Sequence, residues 1–413
     1  MRRALFTCLL VLCACRETSP GSYLFLWAGD ADQKASDFLA VIDASPASPR
    51  YGEIVASVPT GVAAAHPHHT EHEMPASGRL LANGFHAGRT WLFDLSEPMH
   101  PRILTSFGDV AGYSHPHTFT RLPNGRVLAT FQYRAEPAGT SHEQSHDAAS
   151  PAVEHSTGGL VEMDERGHPF RSGSARDEAI QDERIFPYSV LPVPGIDRLV
   201  STTTDMDDSN TRATSEWVQI WRFSDLKLLR SIQLPPGPRG DENRLTGEPR
   251  LLPDGRTVYV HTFHCGLYLL RGLDRPDPSV RFVRAFEGRS CGVPILTGRF
   301  WLQTVPEAHA VVALDVADPE HPREASRLLV GEDEQPHWIA MDPTGRRVVL
   351  NSGGSGTANR LYVLDFDPDS GQLSFDEGFR DAGSTSPGIH LAGRTWPHGF
   401  VGTAIPHGTV FSR

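Results

Sequence analysis

The chain has 413 residues, a formal charge of −12 at neutral pH and 39% hydrophobic residues. That balance argues against nucleic acid or an anionic lipid surface as the main partner, and the apolar share is enough for a sizeable core. With 38 Gly and 33 Pro, the composition suits many short strands and turns better than long helices.

The N-terminus reads MRRALFTCLLVLCACRETSPGS. A basic start precedes a short apolar run, Ala4 to Leu12, well below the roughly 18 apolar residues of a spanning helix. The stretch Leu12-Cys13-Ala14-Cys15 resembles the bacterial lipobox, in which the cysteine is lipidated. Residues 1–14 are therefore expected to be a lipoprotein signal peptide, Cys15 the lipidated residue, 15–21 a linker and 22–413 one domain. Arg16, rather than an aspartate, follows Cys15, which points to the periplasmic face of the outer membrane. An ordinary secretory signal is the alternative. Cys265 and Cys291 would remain in the folded domain, either paired or as two separate buried thiols.

Downstream, a strand-turn-strand unit recurs. HPHTFTRLPNGRVLATF begins at His115, QPHWIAMDPTGRRVVLN at Gln335, TGEPRLLPDGRTVYVHT at Thr246 and HPHHTEHEMPASGRLLANG at His66. Three of the four centre on a Pro-x-Gly-Arg turn, where proline presets one φ and glycine supplies a positive one; the copy at His66 has only a similar turn. A third strand recurs as FLAVID (38–43), WLFDL (91–95), GLVEMD (159–164), WVQIW (217–221), GLYLL (266–270), AVVALD (310–315) and RLYVLD (360–365). About seven copies of a four-strand unit predict an all-β fold, a single seven-bladed β-propeller. Residues 134–159 read as a polar insertion carrying His142, His146 and His155. The two chain ends are expected to close one blade, with 396–412 supplying its inner strand.

The first strand of each propeller blade lines the central channel. The inner positions are read as His68 or His69, His117, Tyr188, Gly247 or Glu248, Cys291 or Gly292, His337 and His398. Four of them are the histidine of a Pro-His pair, and proline suits the start of a strand. Histidines converging on one axis suit a metal, which binds the deprotonated nitrogens. Imidazole suits copper, zinc, iron and nickel, with copper favoured by affinity; calcium and magnesium would want oxygen ligands. The predicted ligands are His68, His69, His117, His337 and His398, with Glu71, Tyr188, Glu248 and Cys291 as channel-lining or supporting residues. Glu71 and Glu73 either orient a ligating imidazole or are solvated charges. His72, His261, His264 and His407 are weaker candidates, and His86, His100, His168, His309 and His321 read as structural or exposed. The acidic stretch TTTDMDDSN (202–210) is a minor calcium candidate.

The stretches YLFLWAGDADQKASDFLAVIDASPASPRYGEIV, HHTEH, HPHTF and QPHWI resemble the selenium-binding protein and methanethiol oxidase family over most of residues 22–413. The resemblance implies copper-dependent oxidation of methanethiol with O2 to formaldehyde, hydrogen sulfide and hydrogen peroxide. It places the metal on residues matching His68, His69, His117 and, less closely, His398 and His337. The run TEHEMP after the double histidine departs from the Gly-Trp-Asn-like run of other members, which puts the substrate in doubt more than the metal. The implied partners are a small thiol, O2 and, through Cys15, a membrane. Selenium is a further possible ligand. The alternatives are a non-catalytic selenium- or metal-binding propeller or envelope scaffold, and a lactonase-type hydrolase in which a metal activates water.

Overall fold

The computed structural model describes residues 20–135, 156–180, 185–206, 216–352 and 359–413. Cys15 with the signal segment, His142, His146 and His155, and residues 207–210 of the acidic stretch lie outside the described residues.

Seven antiparallel sheets, each built on four strands, form the ring, as predicted. Blade 2 runs Pro67–Thr70, Arg79–Gly84, Arg89–Asp94 and Arg102–Phe107. Blades 3, 4, 5, 6 and 7 begin with inner strands Tyr113–Arg121, Pro187–Val193, Thr246–Leu251, Ile295–Thr297 and Pro336–Met341. Each recurring apolar run falls on the third strand of its blade. The turn glycines sit where left-handed backbone is needed, Gly125 at φ 80° and Gly345 at φ 70°, which only glycine adopts without strain.

Alternation along each strand explains why the chain must form a ring. In blade 1, whose second strand is Tyr23–Asp30, Leu24 and Leu26 face Val349 and Leu361 of blade 7, whereas Phe25 and Trp27 face Leu80 and Trp91 of blade 2. Successive side chains point to opposite faces of a strand, and here both faces are covered. Seven apolar layers of this kind separate the seven blades. The insertion's last residues belong to a strand, because Thr157 already pairs with Tyr133.

The chain ends close blade 1, with one correction. Its inner strand is Ala404–Phe411, paired with Tyr23–Asp30. The stretch carrying His398 is instead the turn of a small hairpin joining Arg394–Thr395 to Val401–Gly402. Trp396 anchors that hairpin in the layer between blades 1 and 7, and Gly399 makes the turn at φ 94°. Pro406-His407 therefore takes the inner-strand place expected of Pro397-His398. Cys265 and Cys291 form a disulfide, with Cα atoms 5.2 Å apart. Both lie in the apolar layer between blades 5 and 6, so Cys291 offers the channel no thiol.

Candidate metal centre

The channel residues are aimed by a repeated irregularity. On the inner strands the pairing register shifts between Pro67 and Thr70, Pro116 and Phe119, Pro187 and Val190, and Thr246 and Pro249. Each shift leaves two residues opposite one, a β-bulge, which re-aims side chains. The bulged pairs are His68-His69, Thr118 with His117, Tyr188-Ser189 and Gly247-Glu248. Blade 1 shifts likewise at His407-Gly408, and blade 7 at His337. The second residue of each pair donates its backbone N–H to a side chain on the second strand. His69 donates to Asn83 Oδ1 (2.6 Å), Thr118 to Thr130 Oγ1 (3.0 Å), Ser189 to Thr202 Oγ1 (3.2 Å) and Glu248 to His261 Nδ1 (2.9 Å).

The bulges gather a cluster of imidazoles. One nitrogen from each of His68, His69 and His117 lies within 4.8 Å of the others, and all three residues are buried. His68 stacks on His69 at 4.5 Å and meets His117 at 4.9 Å and His407 at 4.3 Å between ring centres. Burial pushes His68, His69 and His407 well below the usual histidine range, and His117 to about 4. All are therefore neutral at physiological pH, the form a metal needs.

Hydrogen bonds set the tautomers. His117 Nδ1 donates to the Tyr188 carbonyl at 2.8 Å, so its buried Nε2, which meets no partner among the described residues, carries a lone pair. Both nitrogens of His68 are likewise buried and unpartnered. A backbone acceptor behind a free nitrogen is the arrangement that orients metal-ligating histidines. His407 Nε2 lies 3.2 Å from His337 Nε2, so His337 stands one hydrogen bond behind His407. Burial lowers His337 to about 4. Tyr188 serves twice, since its hydroxyl also lies 3.0 Å from His69 Nε2. That hydroxyl stays protonated, because burial and then Glu248 raise it well above its usual range.

Glu248 is buried across the channel, with one carboxylate oxygen on Ser189 Oγ (2.7 Å) and Arg250 Nη1 (2.8 Å). Burial opposes its charge, but His72 and Arg250 hold its carboxyl well below the usual range. A second group, His69, His72 and Glu248, also has ligand atoms within 4.8 Å.

Other predicted site residues lie elsewhere. His398 is bonded to Ser57 Oγ at 2.7 Å on the outer strand of blade 1 and packs on Phe38. Glu71 is buried but turned to Arg121 Nε at 2.7 Å and the Leu81 amide, an ion pair between blades 2 and 3 that orients no imidazole. Glu73 is exposed. His261, buried and lowered to about 4 by burial, accepts the Glu248 amide through Nδ1. Its Nε2 therefore carries the proton, and it is no ligand in neutral form. His407 is the residue underrated in the sequence; the signal was there in IPHGTV, a Pro-His leading directly into a strand. His66 and His86, 3.0 Å apart, form a partly buried pair that sequence reasoning did not join.

No family profile matches the chain. It is 24% identical to the methanethiol oxidase of Hyphomicrobium sp. over 389 residues, covering 86% of this chain and 82% of that one. The chain is a distant relative of the selenium-binding protein and methanethiol oxidase family. The fold is shared with a hypothetical selenium-binding protein from Sulfolobus tokodaii, with a TM-score of 0.71 and 16% identity, covering 95% of this chain and 94% of that one. A periplasmic gluconolactonase of Pseudomonas aeruginosa shares it less closely, at 0.61 and 16%, covering 95% and 99%.

Proposed function

We propose that this propeller is a copper-dependent oxidase of a small thiol, converting thiol, O2 and water to aldehyde, sulfide and hydrogen peroxide. The observation that carries the reading is the buried set His68, His69 and His117, in which His68 and His117 present nitrogens that meet no hydrogen-bond partner among the described residues. An unsatisfied buried polar atom costs about 1–3 kcal/mol, and an ion bound there offsets that cost. An all-imidazole set suits copper, with zinc or another transition metal as the alternative; selenium remains a possible ligand. Bound copper supplies a Lewis acid that takes a thiol as thiolate and a redox centre for O2.

The chain's residues then hold and orient. His117 is fixed by the Tyr188 carbonyl and His69 by the Tyr188 hydroxyl. Phe85, Tyr133 and Phe186 form a small apolar cluster, with Phe85 6.1 Å from His117 between rings, which suits a short alkyl group. The copper-loaded protein should consume O2 only when methanethiol is supplied, releasing sulfide and peroxide in equal amounts. Copper-loaded protein that takes up no oxygen with any small thiol would leave the non-catalytic metal-binding reading in its place.

We also propose that the protein sits at the periplasmic face of the cell envelope, anchored through lipidated Cys15. The Cys265–Cys291 disulfide supports an oxidising compartment. Cys15→Ser should move the protein out of the membrane fraction; unchanged fractionation would contradict the anchor.

A further inference from the structure

We infer that the channel carries a second cation position, built from Nδ1 of His69, His72 and the carboxylate of Glu248, next to the all-histidine cluster. The group is separate in chemistry from the first: two imidazoles and one carboxylate, a donor set that suits zinc and leaves a fourth position open. His72 Nε2 lies 3.4 Å from Glu248 Oε2, and His69 Nδ1 lies 3.9 Å from Glu248 Oε1. With ligand bonds of about 2.0–2.2 Å, tetrahedral neighbours are roughly 3.4 Å apart, so His72 already stands at that spacing from Glu248, while His69, within 4.8 Å of both, would move closer. At 3.4 Å the His72 contact is long for a direct hydrogen bond.

Two further observations point to a ligand there. Glu248 Oε1 is fully buried and meets no hydrogen-bond donor among the described residues. Its other oxygen has taken the available protein partners, Ser189 and Arg250. Leaving one carboxylate oxygen dry costs free energy that a cation would return. His72 is also held in place: its ring stacks on Trp338 at 4.9 Å with 7° between planes, and its Nδ1 has no partner among the described residues. Trp338 is itself pinned by its indole N–H to the Thr409 carbonyl at 2.8 Å.

Arg250 is the opposing feature. Its guanidinium already neutralises Glu248, so a divalent ion would add uncompensated charge to a buried site. The position should therefore favour an anionic fourth ligand, a hydroxide or a thiolate. His69 joins both groups. When its Nδ1 serves the second position, the first keeps His68 and His117, with His407 4.3 Å from His68 between rings.

The test is a zinc titration of full-length protein already loaded with copper, read by competition with a chromophoric chelator and by elemental analysis. Wild type should take one further equivalent of zinc. His72→Ala should bind that zinc at least 10- to 100-fold more weakly while keeping its copper, and Glu248→Gln should do the same. His72 is partly exposed, so its truncation spares the fold. A wild-type protein that binds no added zinc, or a His72→Ala variant that binds it as tightly as wild type, overturns the inference. If the protein takes no copper but still binds zinc in a His72-dependent manner, this inference stands and the copper reading falls.

Discussion

The inner-strand bulges and the second strands behind them both bury histidines, but to opposite ends. His117, on a bulge, and His261, on a second strand, are both fully buried and both lowered to about 4 by burial. His117 gives its Nδ1 proton to a carbonyl and keeps a lone pair at Nε2. His261 accepts an amide proton at Nδ1, just as Asn83, Thr130 and Thr202 do in other blades. It is thus a bulge support that happens to be imidazole. Burial and low pKa do not make a ligand; the backbone group behind the ring does.

The largest expected effect breaks the bulge side of this comparison. His117→Ala should lose copper affinity by more than 100-fold, since changing a supporting partner alone costs 10- to 100-fold. It should remain folded, because the Tyr188 carbonyl keeps Thr130 Oγ1 as a donor. Elemental analysis and circular dichroism would check both halves.

Acid should be the next strongest perturbation, acting on both histidines at once. Their folded pKa values lie near 4, below the 6.5 of an unfolded histidine. The unfolded chain therefore binds more protons between these values, and stability falls as pH drops from about 6.5 toward 4. The melting temperature of chelator-treated protein should decline through that window and show no contribution from these groups above it. A melting temperature independent of pH from 7 to 4.5 would contradict the buried neutral state.

Tyr188→Phe removes only the hydroxyl on His69 and should weaken copper binding about 10- to 100-fold, with the His117 support intact. His261 sharpens the contrast in a different currency. His261→Leu should orphan the Glu248 amide and cost about 1–3 kcal/mol in denaturant unfolding, while copper content stays at wild-type level. His261→Asn, which offers the acceptor Asn83 offers in blade 2, should recover most of that loss. His398→Ala should have the smallest effect, leaving copper unchanged and removing one part-buried hydrogen bond to Ser57, worth about 1 kcal/mol.

The ring was legible because its signals are local. Turn glycines and apolar third strands repeat along the chain, and each blade declares itself independently. His68, His69, His117 and His337 were legible as inner positions because proline marks the strand start. A choice between His68 and His69 looked necessary from spacing, yet the bulge aims both, since two residues there oppose Asn83 alone. The closing strand was misread because two Pro-His pairs lie nine residues apart. Only tertiary packing separates them: Trp396 is drawn into the layer between blades 1 and 7, and Thr409 and Phe411 pair with Leu26 and Leu24. Glu71 could not be told from a ligand support, because its partner Arg121 lies 50 residues on, in another blade.

The most direct test of the metal centre is the copper K-edge absorption spectrum of the loaded full-length protein beside that of His117→Ala. Copper held by these histidines should show nearest-neighbour nitrogen at about 2 Å with the longer-range scattering of several imidazoles, and a clear loss of imidazole scattering in the variant. A first shell dominated by oxygen or sulfur in the resting protein, or identical spectra from the two proteins, would contradict it.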